Sequence, residues 1–162
     1  RPGTAEWKPI DIHESLDSTL ALLYSEYKHQ IKIVREYEPD LPLVPCSPSQ
    51  LNQVFMNILL NAVQAIKGPG RIGVRTWREN GNLHINIRDS GAGVPEQNRD
   101  RIFEPFFTTK PVGTGTGLGL SISYGIIKKH QGEIVVHSEP GQGTEFEITL
   151  PLEGSGQVYL NG

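Results

Sequence analysis

The segment SPSQLNQVFMNILLNAVQAIKG, residues 47–68, carries the strongest structural signals in the sequence. Ser47, Pro48 and Gln50 follow the pattern of an N-cap, a proline at the first helical position and a capping glutamine, and Gly68 is typical of a helix end. Between these ends apolar residues recur at helical spacing, at Leu51, Val54, Phe55, Ile58, Leu59, Ala62 and Ile66. The segment predicts an amphipathic helix whose apolar side lies in a core.

The opposite side of this helix is polar but uncharged, with Gln50, Gln53, Asn57, Asn61 and Gln64. A merely solvated face normally carries lysine and glutamate, which also form helices better than asparagine. Asn57 and Asn61 are one turn apart, so they aim at one spot. An asparagine oxygen can bind Mg²⁺ without adding charge, and its amide can donate to a phosphoryl oxygen. The face suggests a ligand site, although two surface asparagines give the same pattern.

Periodicity on either side of this helix predicts the remaining elements. A helix begins at Asp11, which forms a capping box with Glu14, and another covers residues 118–130. Alternating segments predict strands at residues 31–36, 71–77, 83–88, 133–137 and 144–150. Asn80-Gly81 between two of them is typical of a tight hairpin. Strands grouped mostly as antiparallel neighbours, with helices between the groups, predict a two-layer α/β sandwich.

Composition limits the classes of protein to consider. The chain has 162 residues, 36% hydrophobic and 20% charged, which suits one globular domain. A net charge of −3 argues against nucleic acid as the main partner. The single Cys46 excludes an intrachain disulfide, and we expect a cytoplasmic location. Polar residues interrupt every long apolar run, so we expect no membrane contact. We expect a linker over residues 1–9, a domain over 10–152 and a flexible tail over 153–162.

Two glycine-rich segments flank a long aperiodic region. In DSGAGVP, residues 89–95, Asp89 follows a predicted core strand, where a carboxylate could accept from an exocyclic amine; ordinary turn chemistry is the alternative. The run GTGTGLG, residues 113–119, opens a helix and offers amide donors to an anion, or is a flexible linker. We expect a mobile lid over 94–116, with Lys110 able to reach phosphate.

The common nucleotide-binding templates do not fit this sequence. In the G-x-G-x-x-G fingerprint the third glycine is replaced by Leu118, Leu120 or Ile122, depending on the frame. The sequence also contains no G-x-x-x-x-G-K-[ST] loop, and no H-R-D or D-F-G tripeptide of protein kinases. A nucleotide site here must therefore be of another type.

Four motifs in order carry a family resemblance: NILLNA at 57–62, DSGAGVP at 89–95, FEPFFTTK at 103–110 and GTGTGLGLSIS at 113–123. They resemble the N box, first glycine box, F box and second glycine box of the sensor histidine kinase catalytic domain, over roughly residues 10–152. The resemblance implies the Bergerat ATP-binding fold, a mixed, mostly antiparallel sheet with helices on one face and an ATP lid. Variants NAVQA and FFTTK resemble the nitrogen-regulation type.

The resemblance also implies roles for residues, with ATP and Mg²⁺ as cofactors. Asp89 holds the adenine amine, Asn61 the metal, and Asn57 and Lys110 are the catalytic residues near the phosphates. Gln64 stands where many members carry lysine, which leaves Lys110 to reach phosphate. The full set of implied nucleotide contacts is Asn57, Asn61, Asp89, Gly91, Gly93, Thr108, Thr109, Lys110, Gly115, Thr116, Gly117, Leu118, Gly119 and Thr144.

The implied activity is transfer of the γ-phosphoryl group of Mg-ATP to a histidine on a separate dimerisation domain, and then to a response-regulator aspartate. His13-Glu14 lacks the proline of the phosphoacceptor motif, so the isolated chain is not expected to label itself. We also expect the isolated chain to be monomeric. Gyrase-type, chaperone and mismatch-repair ATPases are the alternative. They carry a glutamate one turn before the metal-binding asparagine, where this chain has Asn57.

Overall fold

The computed structural model describes residues 6–104 and 119–152. The helices in these ranges are α1 (Ile12–Leu22), α2 (Tyr24–Tyr27), α3 (Pro48–Ala65) and α4 (Gly119–Lys129), together with a 3-10 helix over Glu96–Arg101. The strands are β1 (Lys8–Ile10), β2 (Ile31–Tyr37), β3 (Val44–Cys46), β4 (Gly70–Glu79), β5 (Asn82–Asp89), β6 (Glu133–Glu139) and β7 (Gly143–Pro151).

Five strands form the main sheet in the order β2-β4-β5-β7-β6. The β2–β4 pair is parallel and the other three pairs are antiparallel, so the expected mixed, mostly antiparallel sheet is confirmed. The turn between β4 and β5 is the predicted hairpin, with Asn80 at φ 55° and Gly81 at φ 78°. Two successive residues with positive φ give a turn whose twist matches the strands it joins.

The core lies between this sheet and the helices. Helix α3 packs against both α1 and α4 and rests on β5 and β7. Inward-facing residues alternate along β5 at Leu83, Ile85 and Ile87, all fully buried. The other face of the sheet carries exposed charged side chains, among them Arg71, Arg75 and Arg88. The predicted two-layer α/β sandwich is therefore confirmed.

A small second sheet was not predicted. Strand β1 pairs antiparallel with β3, and the two prolines Pro9 and Pro45 are register partners. Proline is depleted in strands because it lacks the amide donor, so neither segment gives a strand signal in the sequence. The strand β1 crosses the expected domain start at residue 10. The 3-10 helix Glu96–Arg101 was also missed, since so short an element leaves little periodicity.

The helix caps agree with the sequence only in part. Asp11 caps α1 by accepting a hydrogen bond from the His13 amide at 2.9 Å, but no bond from Glu14 completes the predicted capping box within the described part of the chain. Ser47 occupies the N-cap of α3, but its side chain makes no capping bond. Its buried hydroxyl has no hydrogen-bond partner among the residues described. The same serine instead uses its backbone amide to contact His130.

His130 joins the start of α3 to the end of α4. It is 2% exposed; Nε2 accepts from the Ser47 amide at 3.1 Å, and Nδ1 donates to the Ile126 carbonyl at 2.8 Å. The ring of Trp7 lies 4.3 Å from its ring, centroid to centroid. Because Nε2 must accept, the imidazole is neutral here, and burial lowers the pKa of His130.

His13 serves packing. Its ring stacks on Tyr37 at 4.1 Å between centroids, and Nε2 lies 2.7 Å from the Thr76 hydroxyl. These contacts tie the beginning of α1 to the sheet, a structural use that is consistent with the missing phosphoacceptor motif. None of the helices in the described ranges is long and apolar enough to cross a membrane.

We predict that acid destabilises the fold through His130. Its pKa is lowered in the folded state, so the unfolded chain binds more protons once the pH falls through the ordinary histidine value of about 6.5. The free energy of unfolding should therefore fall as the pH is lowered through that value. Denaturant titrations across this range should show a weaker pH dependence for His130→Gln. The exposed His29 provides the control, because His29→Gln should keep the wild-type dependence; equal slopes for all three proteins would contradict the prediction.

Candidate nucleotide-binding site

Asp89 ends β5 as a buried carboxylate, 3% exposed. Its Oδ1 accepts a hydrogen bond from the Gly91 amide at 2.8 Å, and the Thr144 backbone amide also donates to the carboxylate. Burial raises the pKa of Asp89, whereas the two amides oppose that rise by favouring the charged form. The result is a fixed acceptor at the end of a core strand. The bond from the Gly91 amide, two residues on, is also the turn bond that the alternative interpretation predicts, so the contact with a ligand amine stays a prediction.

Close packing explains the glycines after Asp89. A side chain on Gly91 would come within 2.5 Å of the Ala65 carbonyl oxygen at the end of α3. Gly93 has φ +80°, and a side chain there would collide with the Glu139 carbonyl. The segment 89–95 therefore runs between the end of α3 and the β6–β7 turn, and at Gly91 and Gly93 there is room only for backbone.

A buried serine on β6 holds the same segment from the other side. Ser138 Oγ accepts from the Val94 amide at 2.7 Å and donates to the Gly143 carbonyl at 3.0 Å. It also lies 3.0 Å from the Thr144 hydroxyl. The structure thus brings Asp89, Thr144 and the first glycine segment together. Ser138 was missed from the sequence, although an inward-facing polar residue on a core strand is the signal that could have found it.

The two asparagines of α3 have different surroundings, and both are half-buried. Asn57 Nδ2 donates to the Gly119 carbonyl at 2.9 Å and to Ser123 Oγ at 3.2 Å, both on α4. The Asn61 side chain makes no hydrogen bond within the described part of the chain, which leaves its oxygen available to a ligand. Ala65, one turn further, abuts Gly91, so α3 connects the asparagines to the Asp89 segment.

Ile102 and Phe103, in the first half of the expected lid, pack on the rest of the domain. Ile102 is buried, and the Phe103 ring lies 5.5 Å from Tyr124 and 6.3 Å from Phe146, centroid to centroid. Phe103 therefore belongs to a small apolar cluster beneath the loop. Residues 105–118 lie outside the described residues, and with them the second half of the expected lid and Thr108, Thr109, Lys110, Gly115, Thr116, Gly117 and Leu118.

The described residues fit a magnesium ion bound together with phosphates. They contain no group of three or more histidine, cysteine or acidic side chains that could hold a metal by themselves. Mg²⁺ is usually held by few protein ligands and by the phosphates of its nucleotide, and it prefers oxygen. Asn61 supplies an uncharged oxygen that makes no hydrogen bond within the described residues.

Comparison with known proteins agrees with this geometry. Residues 46–154 match the family described as histidine kinase-, DNA gyrase B-, and HSP90-like ATPase. The chain belongs to this family.

Particular relatives are kinases by name. The chain is 46% identical over 163 residues to sporulation kinase E of Bacillus subtilis, covering 99% of this chain and 22% of that protein. It is 38% identical over 160 residues to the sensory histidine kinase/phosphatase NtrB of Rhodobacter capsulatus, covering 91% and 44%. The chain thus spans less than half the length of either relative.

A solved structure shows the same fold. The catalytic domain of histidine kinase ThkA aligns with a TM-score of 0.81 at 28% identity, covering 91% of this chain and 98% of that one. ThkA has also been solved in complex with the response regulator protein TrrA. The predicted resemblance to the sensor histidine kinase catalytic domain is confirmed, and the gyrase-type alternative has less support.

We predict that Gly143→Ala damages the Asp89 segment. Gly143 has φ +92°, and a side chain there would collide with the Asp89 carbonyl, so the variant should lose about 2–4 kcal/mol of stability. Gly125→Ala is the matched control, because Gly125 lies inside α4 with open space around it and should gain up to about 1 kcal/mol. Denaturant unfolding measures both changes. A neutral Gly143→Ala would show that the close approach does not constrain the backbone.

Proposed function

We propose that this chain is the ATP-binding catalytic domain of a sensor histidine kinase. It binds Mg-ATP and donates the γ-phosphoryl group to a histidine on a separate dimerisation domain of its parent protein, from which the group passes to a response-regulator aspartate. The observation that carries this proposal is the contact of Asn57 Nδ2 with the Gly119 carbonyl and Ser123 Oγ.

This contact favours a phosphoryl donor over a self-sufficient ATPase. Hydrolysis needs a base to activate water, and an amide accepts no proton near neutral pH. Both hydrogens of the Asn57 amide are used by acceptors on α4, whereas a glutamate or aspartate could donate nothing to the Gly119 carbonyl. Position 57 is therefore built for a donor, and bound ATP must wait for another nucleophile.

Each described site residue has a definite task in the proposed complex. The Asp89 carboxylate accepts from the adenine amine, held in place by the Gly91 and Thr144 amides. The Asn61 oxygen binds the metal ion, which would offset phosphate charge. Gly119 begins α4, where backbone amides at the positive end of the helix face the phosphates.

The remaining parts of the proposal rest on the motifs. Thr108, Thr109, Lys110 and residues 115–118 complete the phosphate site, with Lys110 as its basic group. The catalytic unit ends near residue 152 and begins before the expected residue 10, because Trp7 packs on the core and β1 (Lys8–Ile10) pairs with β3. The expected tail over 153–162 and the first five residues of the expected linker over 1–9 lie outside the described residues. We place this domain in the cytoplasm as a monomer when isolated, without nucleic-acid or membrane contact, and consider a nitrogen-regulation type of kinase the best fit.

We predict that Asp89→Asn loses most adenine selectivity. The amide can turn a donor toward the adenine amine, and a hydrogen bond to a charged group is worth about 1.5–3 kcal/mol, or roughly ten- to a hundredfold in affinity. Calorimetry with ATP and with inosine triphosphate, which lacks the amine, measures the selectivity. Asp40→Asn is the control, since Asp40 is exposed and asparagine tolerates its φ of 61°. An unchanged ratio of the two affinities in Asp89→Asn would refute the assignment.

We predict that the isolated chain binds γ-labelled Mg-ATP but hydrolyses it slowly and does not label itself. General-base catalysis contributes about 10²- to 10⁴-fold, so hydrolysis should lag phosphoryl transfer by that order. Adding the histidine-bearing domain of the parent protein should start transfer of label to that domain, and replacing its acceptor histidine should abolish it. Rapid phosphate release by the chain alone, or no transfer to the added domain, would support the hypothesis of a self-sufficient ATPase instead.

A further inference from the structure

Asn57 could face a bound nucleotide with either end of its amide. The NH₂ end would donate to a phosphoryl oxygen, whereas the oxygen end would accept from water or bind a cation. The two ends have nearly the same shape, so only their partners determine which way the amide is turned. These partners, Gly119 and Ser123, lie on the first two turns of α4.

The Gly119 carbonyl determines which end of the Asn57 amide faces it. A carbonyl oxygen can only accept, and it lies 2.9 Å from the Asn57 amide nitrogen. It also accepts from Ser123 Oγ at 2.9 Å, one turn along the helix. The end of Asn57 that meets Gly119 must therefore be the NH₂ end.

Ser123 favours the same orientation of the Asn57 amide. Its side chain is completely buried, and its single hydroxyl hydrogen is directed to the Gly119 carbonyl. The hydroxyl can then offer only lone pairs to Asn57, whose nitrogen lies 3.2 Å away. Two acceptors thus face the same NH₂ group. Turning the amide over would place its oxygen against both of them.

We infer that Ser123 is a positioning residue of the nucleotide site, whose hydroxyl turns the Asn57 amide so that Oδ1 is presented to bound Mg-ATP. Among the described residues Oδ1 makes no hydrogen bond, so it is free for the metal ion or for a water bound to it. Asn57 and Asn61 then offer two uncharged oxygens one helical turn apart. This inference rests on the proposed function, since it concerns the same site.

The inference differs from a purely structural role in what it predicts for the metal. If Ser123 only supported α4, its loss would weaken ATP binding equally with and without Mg²⁺. If it acts through the Asn57 oxygen, its loss should reduce the gain in ATP affinity that Mg²⁺ provides. That gain is the ratio of the ATP dissociation constants measured in excess EDTA and in excess Mg²⁺.

The test is calorimetric titration of ATP in both conditions for wild type, Ser123→Ala, Asn57→Ala and the double variant. We expect Ser123→Ala to reduce the magnesium gain about three- to tenfold, as for one lost hydrogen bond. In the Asn57→Ala background the same substitution should change the gain no further. Gly125→Ala, on an open side of α4, should keep the wild-type gain.

Two near-isosteric variants separate the hydroxyl from folding. Should Ser123→Ala fail to fold, Ser123→Thr and Ser123→Val have similar shapes and differ in the hydroxyl, so only the threonine variant should keep the gain. An equal loss with and without Mg²⁺, no loss at all, or a loss that persists beside Asn57→Ala would overturn the role of Ser123. A wild-type chain that binds no ATP would instead overturn the proposed function.

Discussion

Burial of α3 is the constraint on which the rest of the structure depends. This helix lies between α1, α4 and the sheet, and Leu51, Phe55, Ile58 and Leu59 are fully buried on it. Burying each such side chain contributes about 1.5–3 kcal/mol. The same rotation that buries these residues directs Asn57 toward α4 and brings the helix end against Gly91. The packing of the core and the geometry of the site therefore both depend on the orientation of this one helix.

Local signals made most of this fold predictable. Neighbouring residues determine the ends of α3, the Asp11 cap and the Asn80-Gly81 turn. Each of these features lies where the sequence predicted it. The β1–β3 pair was not predictable in this way, because its partners are far apart in sequence and proline hides both strands. The missing side-chain cap at Ser47 has a similar origin, since its environment is set by His130 from a distant element.

The candidate site likewise combines features that the sequence predicts with contacts that it does not predict. Asparagines one turn apart and an aspartate at a strand end are patterns visible in the sequence, and they indicated the type of ligand. What the sequence could not show is the partner of each polar atom. Ser123 contacts the Asn57 amide on another helix, and Ser138 accepts from the Val94 amide on a distant segment, so the sequence does not identify either partner. The direction of the Asn57 amide follows from such contacts and from no local pattern.

The shared carbonyl of Gly119 also bears on how such proteins can diverge. A change of residue 57 from amide to acid would leave that carbonyl facing a negative group, with the buried Ser123 hydroxyl as its remaining side-chain donor. Evolution from transferring a phosphoryl group to hydrolysing ATP therefore requires coordinated changes on α3 and α4. A single substitution would pass through an intermediate with a loosened helix contact and a poorly placed base. In this chain the contact would therefore oppose a one-step change from phosphoryl transfer to ATP hydrolysis.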